Sequence, residues 1–388
     1  MQHEMSAPKT RLDWVDVAKG ISILLVVSVH TFNWLSFIGL QAEWLQAFNR
    51  VFNTMRMPLF FAMSGLFGVK WMTKGWRELY SGKLALFIWV FLLWQPLVFL
   101  YKYTAALILP DQQDSTLAAH LLRLFASPFR PSGELWFLWA LAIFFVVARA
   151  CAKLPVWLHI GGAALVSGIW LTIAQPILGD SLWRLIGDGW QGVPSYYVFF
   201  AIGVTFRTSI VGLVDRARWW QLPIPIAVWL LVQWAVYSLG IVFVPFVGLA
   251  MRVLGLAAGI AIALILRRVR PLSILGRNTL PVYLGHTLFI VLIACGLYAV
   301  GITLEGPVLG VVAPILMIAV AVMLSLALEK AAIRSPLRVF YEPPEWFRFR
   351  PRTQVAAAAP VSTPVATEAP QTSQTGPAPV ATEDSRIP

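Results

Sequence analysis

The chain has 388 residues, 59% of them hydrophobic and only 12% charged, with a mean hydropathy of +0.74 and a formal net charge of +12. A soluble domain is about 25% charged, so this composition excludes an ordinary water-soluble protein and points to a chain dissolved in lipid. The basic balance does not indicate nucleic acid, because no basic patch interleaves with exposed aromatics; it fits Lys and Arg held on the cytoplasmic side of a membrane. Lipid admits only helices or closed barrels. The apolar runs are roughly 20 residues long without strict alternation, which selects helices. The two cysteines, Cys151 and Cys295, form neither a metal-ligand spacing nor a disulfide framework, so they say little about redox compartment; no metal and no resident cofactor is expected.

The opening segment is polar and has no apolar core before a cleavage site, so no signal peptide is expected. Ten spans are predicted, at roughly 17–37, 51–69, 84–101, 135–152, 156–175, 192–206, 222–242, 246–266, 280–300 and 308–328. The first carries Asp16, Lys19 and His30. Ionisable residues in a span are costly and default to function. At 100° per residue Lys19 and His30 lie about 20° apart in azimuth and Asp16 and His30 about 40°, so all three share one stripe, with His30 about 16 Å beyond Lys19. A deep neutral imidazole can accept a proton from a hydroxyl. Lys19 at the mouth can meet a phosphate, and Asp16 can orient or neutralise it. The plainer alternatives are a histidine hydrogen-bonded between helices and interfacial charges that set topology.

In the second span Arg56 either binds an acyl carbonyl, phosphate or saccharide near His30, or snorkels to the interface. Pro58 is expected to kink that helix, and Ser64 with Gly65 to allow close helix approach. The longest outer loop, about 102–134, holds a short amphipathic helix, interfacial or re-entrant. Asp114 or Ser115 would be its cap, Leu117, Leu121, Leu124 and Phe125 its apolar face, and His120 lies on it. Glu134 either faces an acceptor pocket or complements a helix N-terminus. Trp136 and Trp139 either stack on a sugar ring or belong to the interfacial belt. Asn278 is a cap or a ligand, and His286 a cavity group or a structural one. Cations concentrate in alternate segments, for example Lys70, Lys74, Arg77 and Lys83, or Arg267, Arg268, Arg270 and Arg277. That asymmetry puts both termini in the cytoplasm. A membrane domain over residues 1–340 is followed by an Ala/Pro/Thr-rich stretch at 351–388, expected to be a disordered cytoplasmic tail. No internal repeat or matched pair of broken helices indicates an inverted-repeat transporter.

At these residues the chain resembles the membrane acyltransferase 3 family, particularly the branch similar to sugar O-acetylases. That family opens its first span with Asp, then Arg or Lys, then ten residues, then His, as in VDVAKGISILLVVSVH with Asp16, Lys19 and His30. Further blocks are Met57-Pro58-Leu59-Phe60-Phe61-Ala62-Met63-Ser64-Gly65, Leu135-Trp136-Phe137-Leu138 and Tyr283-Leu284-Gly285-His286. Order and spacing agree across about residues 10–330. The resemblance implies an all-α polytopic bundle in the cytoplasmic membrane that moves an acyl group, usually acetyl, from cytoplasmic acyl-CoA to a hydroxyl of an extracytoplasmic glycan or lipid-linked saccharide. It implies His30 as base and Lys19 as a holder of the CoA phosphates or the pantetheine entrance. The family more widely has Arg where Lys19 stands, and Lys cannot make the two-pronged phosphate contact of Arg. The fused esterase-like domain of some members is not seen.

Taken together, these features predict an O-acyltransferase with Asp16 and His30 in catalysis, Lys19 and Arg56 at the donor, and Glu134, Trp136 and His286 at the acceptor. The alternative from another class is a secondary transporter or flippase for a small anion or saccharide.

Overall fold

The computed structural model describes residues 12–40, 42–109, 116–131, 133–302 and 306–349. The stretch expected as a tail, 351–388, lies outside the described residues, as do Asp114, Ser115 and the segment before Leu12. Among the described residues the chain is entirely helical. The main helices are α1 (Asp13–Phe37), α2 (Glu43–Leu66), α3 (Ala85–Ile108), α4 (Leu117–Ala126), α5 (Trp136–Ala150), α6 (Val156–Ile169) and α7 (Gln175–Thr205). They continue as α8 (Arg207–Arg216), α9 (Pro223–Ser238), α10 (Val247–Ile265), α11 (Arg270–Arg277), α12 (Thr279–Ala299) and α13 (Pro307–Ile333).

Each predicted span falls on one of these helices. By length and apolarity eight of the described helices can cross a membrane, or nine if the bent pair Pro176–Thr205 and Arg207–Arg216 is one span. The chain is therefore a multi-pass membrane protein. α2 is not among the eight because Asn49, Asn53, Thr54 and Arg56 dilute its hydropathy. It is instead packed among α1, α7 and α10, where its polar groups find partners. Asn49 accepts from the Ser28 hydroxyl at 2.7 Å, and Thr54 accepts from the Trp229 indole at 2.9 Å. α7 is longer than the predicted sixth span but is interrupted at Gly179 and Gly187, whose φ values of 69° and 77° lie in the left-handed region.

α1 is the hub. It packs against α2, α10, α11, α12 and α13. The closest approach is to α11, where Gly20 and Gly276 face each other's helix: a Cβ on Gly276 would run into the Asp16 carbonyl, and one on Gly20 into that of Leu272. Small residues let helix backbones touch where lipid supplies no hydrophobic drive. Gly65 bears out the expected close approach in α2, meeting Phe200 of α7, while Gly203 meets Ala62 in return. α6, α9 and α13 lie outermost and turn apolar side chains such as Trp157, Trp234 and Met323 outward, as lipid-facing helices do. After α13 the chain returns as a strap along α3. Trp89 and Trp94 donate to the carbonyls of Val339 and Phe340 at 2.7 and 2.8 Å, and Ser81 to that of Phe349 at 3.0 Å.

Candidate active site

A cavity and a channel meet at Lys19 of α1. At the Asp13 end a cavity of about 900 Å³ is lined by Asp16, Lys19, Lys70, Lys83, Arg207 and Arg277, together with Phe67 and Thr279. Asp16 is buried and is held by Arg277, with Nε to Oδ2 at 3.4 Å. The Gly20–Gly276 contact makes this pairing possible by bringing α11 against the first turns of α1. The Lys19 ammonium stands over the Phe67 ring, 4.0 Å from its centroid, a cation–π contact. Arg207 donates to the Leu66 carbonyl at 2.7 Å, which fixes the end of α2. Among the described residues five cations against one lining carboxylate suit a polyanion.

From that cavity a narrower apolar channel of about 190 Å³ leads inward. The two share Lys19, Phe67, Lys83 and Thr279. Phe60, Phe137 and Tyr283 line the channel further on. Phe60 and Phe137 stack with centroids 4.6 Å apart, so its wall is rigid, flat and apolar.

Tyr283 stands one turn before His286 on α12, on the same helix face. The rings of His30 and His286 lie 5.1 Å apart, tilted by 57°. Packing of α12 against α1 thus brings together the histidines of the first and the penultimate long helix. His286 is fully buried. Its Nδ1 lies 2.9 Å from the Val282 carbonyl, which can only accept, so Nδ1 carries the proton. Its Nε2 is 3.1 Å from the Thr287 hydroxyl. Both nitrogens are satisfied within α12. His286, expected at the acceptor, is packed beside the His30 ring. His30 remains within electrostatic reach of Lys102 and Arg56.

Asp16 is fourteen residues, about 21 Å of helix, from His30, and lines the cationic cavity. Arg56 is eleven residues from Phe67 along α2, about 16 Å. It is far from the Lys19 cavity where donor binding would place it, and it lies near His30 and Tyr196. Glu134 is not an open acceptor ligand. Its carboxylate accepts from the Tyr101 hydroxyl and pairs with the Lys102 ammonium at 2.9 Å, and its carbonyl accepts from Tyr283. It ties α3 and α12 to the start of α5, and burial pushes its carboxyl up to about 7. Trp136 does line a pocket at this end, with Tyr196, Gln191, Asp188 and Arg252. Trp139 donates to the Pro128 carbonyl at 3.0 Å and is structural. Asn278 makes no cap bond; its amide donates to the Ile274 carbonyl at 2.8 Å. Thr116 caps α4, its hydroxyl accepting from the Ala119 amide at 3.2 Å. His120 turns inward while Leu122 and Phe125 stay exposed. Burial, with Arg123 and Lys102 nearby, holds its imidazole below the usual range.

Sequence reasoning singled out Lys19 but read Lys70, Lys83, Arg207 and Arg277 only as topology charges. Their common feature was visible, since each lies at a helix end on the Lys19 side.

The family described as "Acyltransferase domain" matches residues 12–328. Nodulation protein NolL from Mesorhizobium japonicum is 27% identical over 212 residues, covering 53% of this chain and 51% of that protein. The chain thus spans about half the length of this curated relative. No solved structure matches.

Proposed function

This chain belongs to the acyltransferase family and is a multi-pass membrane acyltransferase; from that premise we propose that it moves an acyl group, acetyl in the first instance, from acyl-CoA to a hydroxyl of an extracytoplasmic glycan or lipid-linked saccharide. The carrying observation is the path from the cationic cavity through the apolar channel to Tyr283, beside the His30–His286 pair. Lys19, Lys83 and Arg277 would meet the CoA phosphates. The channel accepts a thin unbranched chain such as pantetheine, which would carry the thioester inward. The acceptor hydroxyl approaches from the opposite end, where Trp136 and Arg252 lie.

In the transfer, the imidazole of His30 takes the hydroxyl proton as the oxygen attacks the thioester carbonyl. The C–O bond forms, the C–S bond breaks, and the proton passes to the departing thiolate, leaving ester and free CoA. His286 holds the His30 ring in place. No residue need carry the acyl group. Both termini face the cytoplasm of the cell membrane in this reading, in line with the segment charges.

The direct test is release of free CoA thiol by purified protein given acetyl-CoA and a mixture of saccharide acceptors. His30→Ala should lower the rate by at least about a hundredfold, the usual scale for a general base. Release at the wild-type rate in that variant would remove His30 from the chemistry.

A further inference from the structure

The pocket at the end opposite Lys19 has a composition that the acyl-transfer reading alone does not require. Its volume is about 330 Å³, the size of a small-molecule site. Four aromatic side chains, Trp136, Trp170, Trp183 and Tyr196, contribute to its lining. They hold each other firmly. Trp136 and Tyr196 have centroids 6.0 Å apart, and Trp170 and Trp183 5.8 Å. The Trp170 indole donates to the Gln191 carbonyl at 3.1 Å, and the Gln191 amide donates to the Trp183 carbonyl at 2.6 Å. Gly192 leaves room for the Trp136 ring, which a Cβ there would strike. The result is a preformed aromatic cleft with polar groups from Asp188, Gln191 and Ser195, suited to a pyranose ring.

One arginine in the lining sets the charge. Arg252 lies in the lining, its guanidinium 5.9 Å from the Tyr196 centroid. Its Nη1 donates to the Gly248 carbonyl at 3.0 Å, while its Nε is sealed from solvent with no hydrogen-bond partner. Arg56 is not in the lining. Its Nη2 meets Asn53 Oδ1 at 3.2 Å, and its Nη1 is likewise sealed and unpartnered. Neither forms a salt bridge among the described residues. The nearby carboxylates have other duties. Glu134 is held by Lys102, and Asp188 accepts from the Gly133 amide at 2.6 Å. Arg252, in the lining and without an ion pair among the described residues, is the cation that a ligand oxyanion would meet.

We infer that this pocket binds a saccharide carrying an anionic group, a carboxylate or a phosphate, with its ring against Trp136 and Tyr196 and its oxyanion toward Arg252. The inference rests on the acceptor side of the proposed transfer and adds the charge class of the acceptor.

The test uses the full chain in nanodiscs of neutral phosphatidylcholine and measures binding without any acyl donor. The probes are methyl β-D-glucuronide, glucose 1-phosphate and methyl β-D-glucoside, identical in ring size and different in charge. One or both charged sugars should bind at least about tenfold tighter than the neutral one, the scale of one charge-assisted contact; which of them does so identifies carboxylate or phosphate. Arg252→Gln should abolish that preference and Arg252→Lys should retain part of it, which separates loss of charge recognition from loss of fold. Equal binding of all three, or an unchanged preference in Arg252→Gln, would overturn the inference. So would stabilisation by phosphatidylglycerol nanodiscs that depends on Arg252 with no sugar binding, since the pocket would then hold a lipid headgroup. Tight binding of a charged sugar that never becomes acylated would keep this pocket and refute the transfer reading. Acylation confined to neutral sugars would do the reverse.

Discussion

At the scale of single residues, position along α1 divides the labour. Lys19 and His30 share a stripe, but about 16 Å of helix keeps a cation and a base in separate compartments. Lys19 stands over Phe67 where the wide cavity narrows to the channel. Its removal should therefore weaken donor use and leave acceptor use alone. Lys19→Ala is expected to raise the KM for acyl-CoA about tenfold, one charge-assisted contact, with a smaller change in kcat. Lys19→Arg should restore most of the loss. Steady-state kinetics with each substrate varied in turn would check this, and a raised acceptor KM with an unchanged donor KM would contradict it. The stripe itself was legible in the sequence because helical phase is arithmetic. The partners were not. Nothing local says that Arg277 reaches Asp16, or that both nitrogens of His286 are already used, since those contacts depend on where distant helices pack.

At the scale of elements, backbone contact does the positioning. α1 and α11 meet at Gly20 and Gly276 so closely that no side chain fits between them, and this contact sets Arg277 against Asp16. Gly276→Val would force the helices apart. Its expected effect is a loss of about 2 kcal/mol or more, within the range of overpacking, seen as a lower melting temperature in detergent together with weaker acyl-CoA binding. A variant as stable as the wild type would show that α11 can be displaced freely. The spans themselves were readable because long apolar runs leave few alternatives in lipid. The interruptions of α7 at Gly179 and Gly187 were not, because a glycine inside an apolar stretch does not announce a left-handed backbone. Nor was the inward turn of His120, since an amphipathic pattern gives two faces and does not say which one meets lipid. α4 turns Leu122 and Phe125 outward and keeps the imidazole inside.

At the scale of the whole molecule, the cationic cavity and the aromatic pocket lie toward opposite ends of the bundle, with the two histidines between them. Acyl-CoA should then be used from one face only. In sealed proteoliposomes sorted by orientation, external acetyl-CoA should support thiol release only where the Lys19 cavity faces outward. Equal release in both orientations would break the two-sided arrangement. Uptake of an anion or saccharide without thioester cleavage would favour a transporter. The class of fold and the course of the spans followed from hydropathy. Which ends carry a polyanion site and which an aromatic cleft follows from helix packing, as with Lys83 on one side and Trp183 on the other.

The glycine contact between the first helix and α11 also has a history in time. Chains are made from the N-terminus, so α1 reaches the bilayer long before Gly276 has been synthesised. Until then Asp16 lacks Arg277, the hub has no α12 beside it, and His30 has no His286. The site cannot exist in a half-made chain. It closes only when nearly the last membrane helices arrive to meet the first.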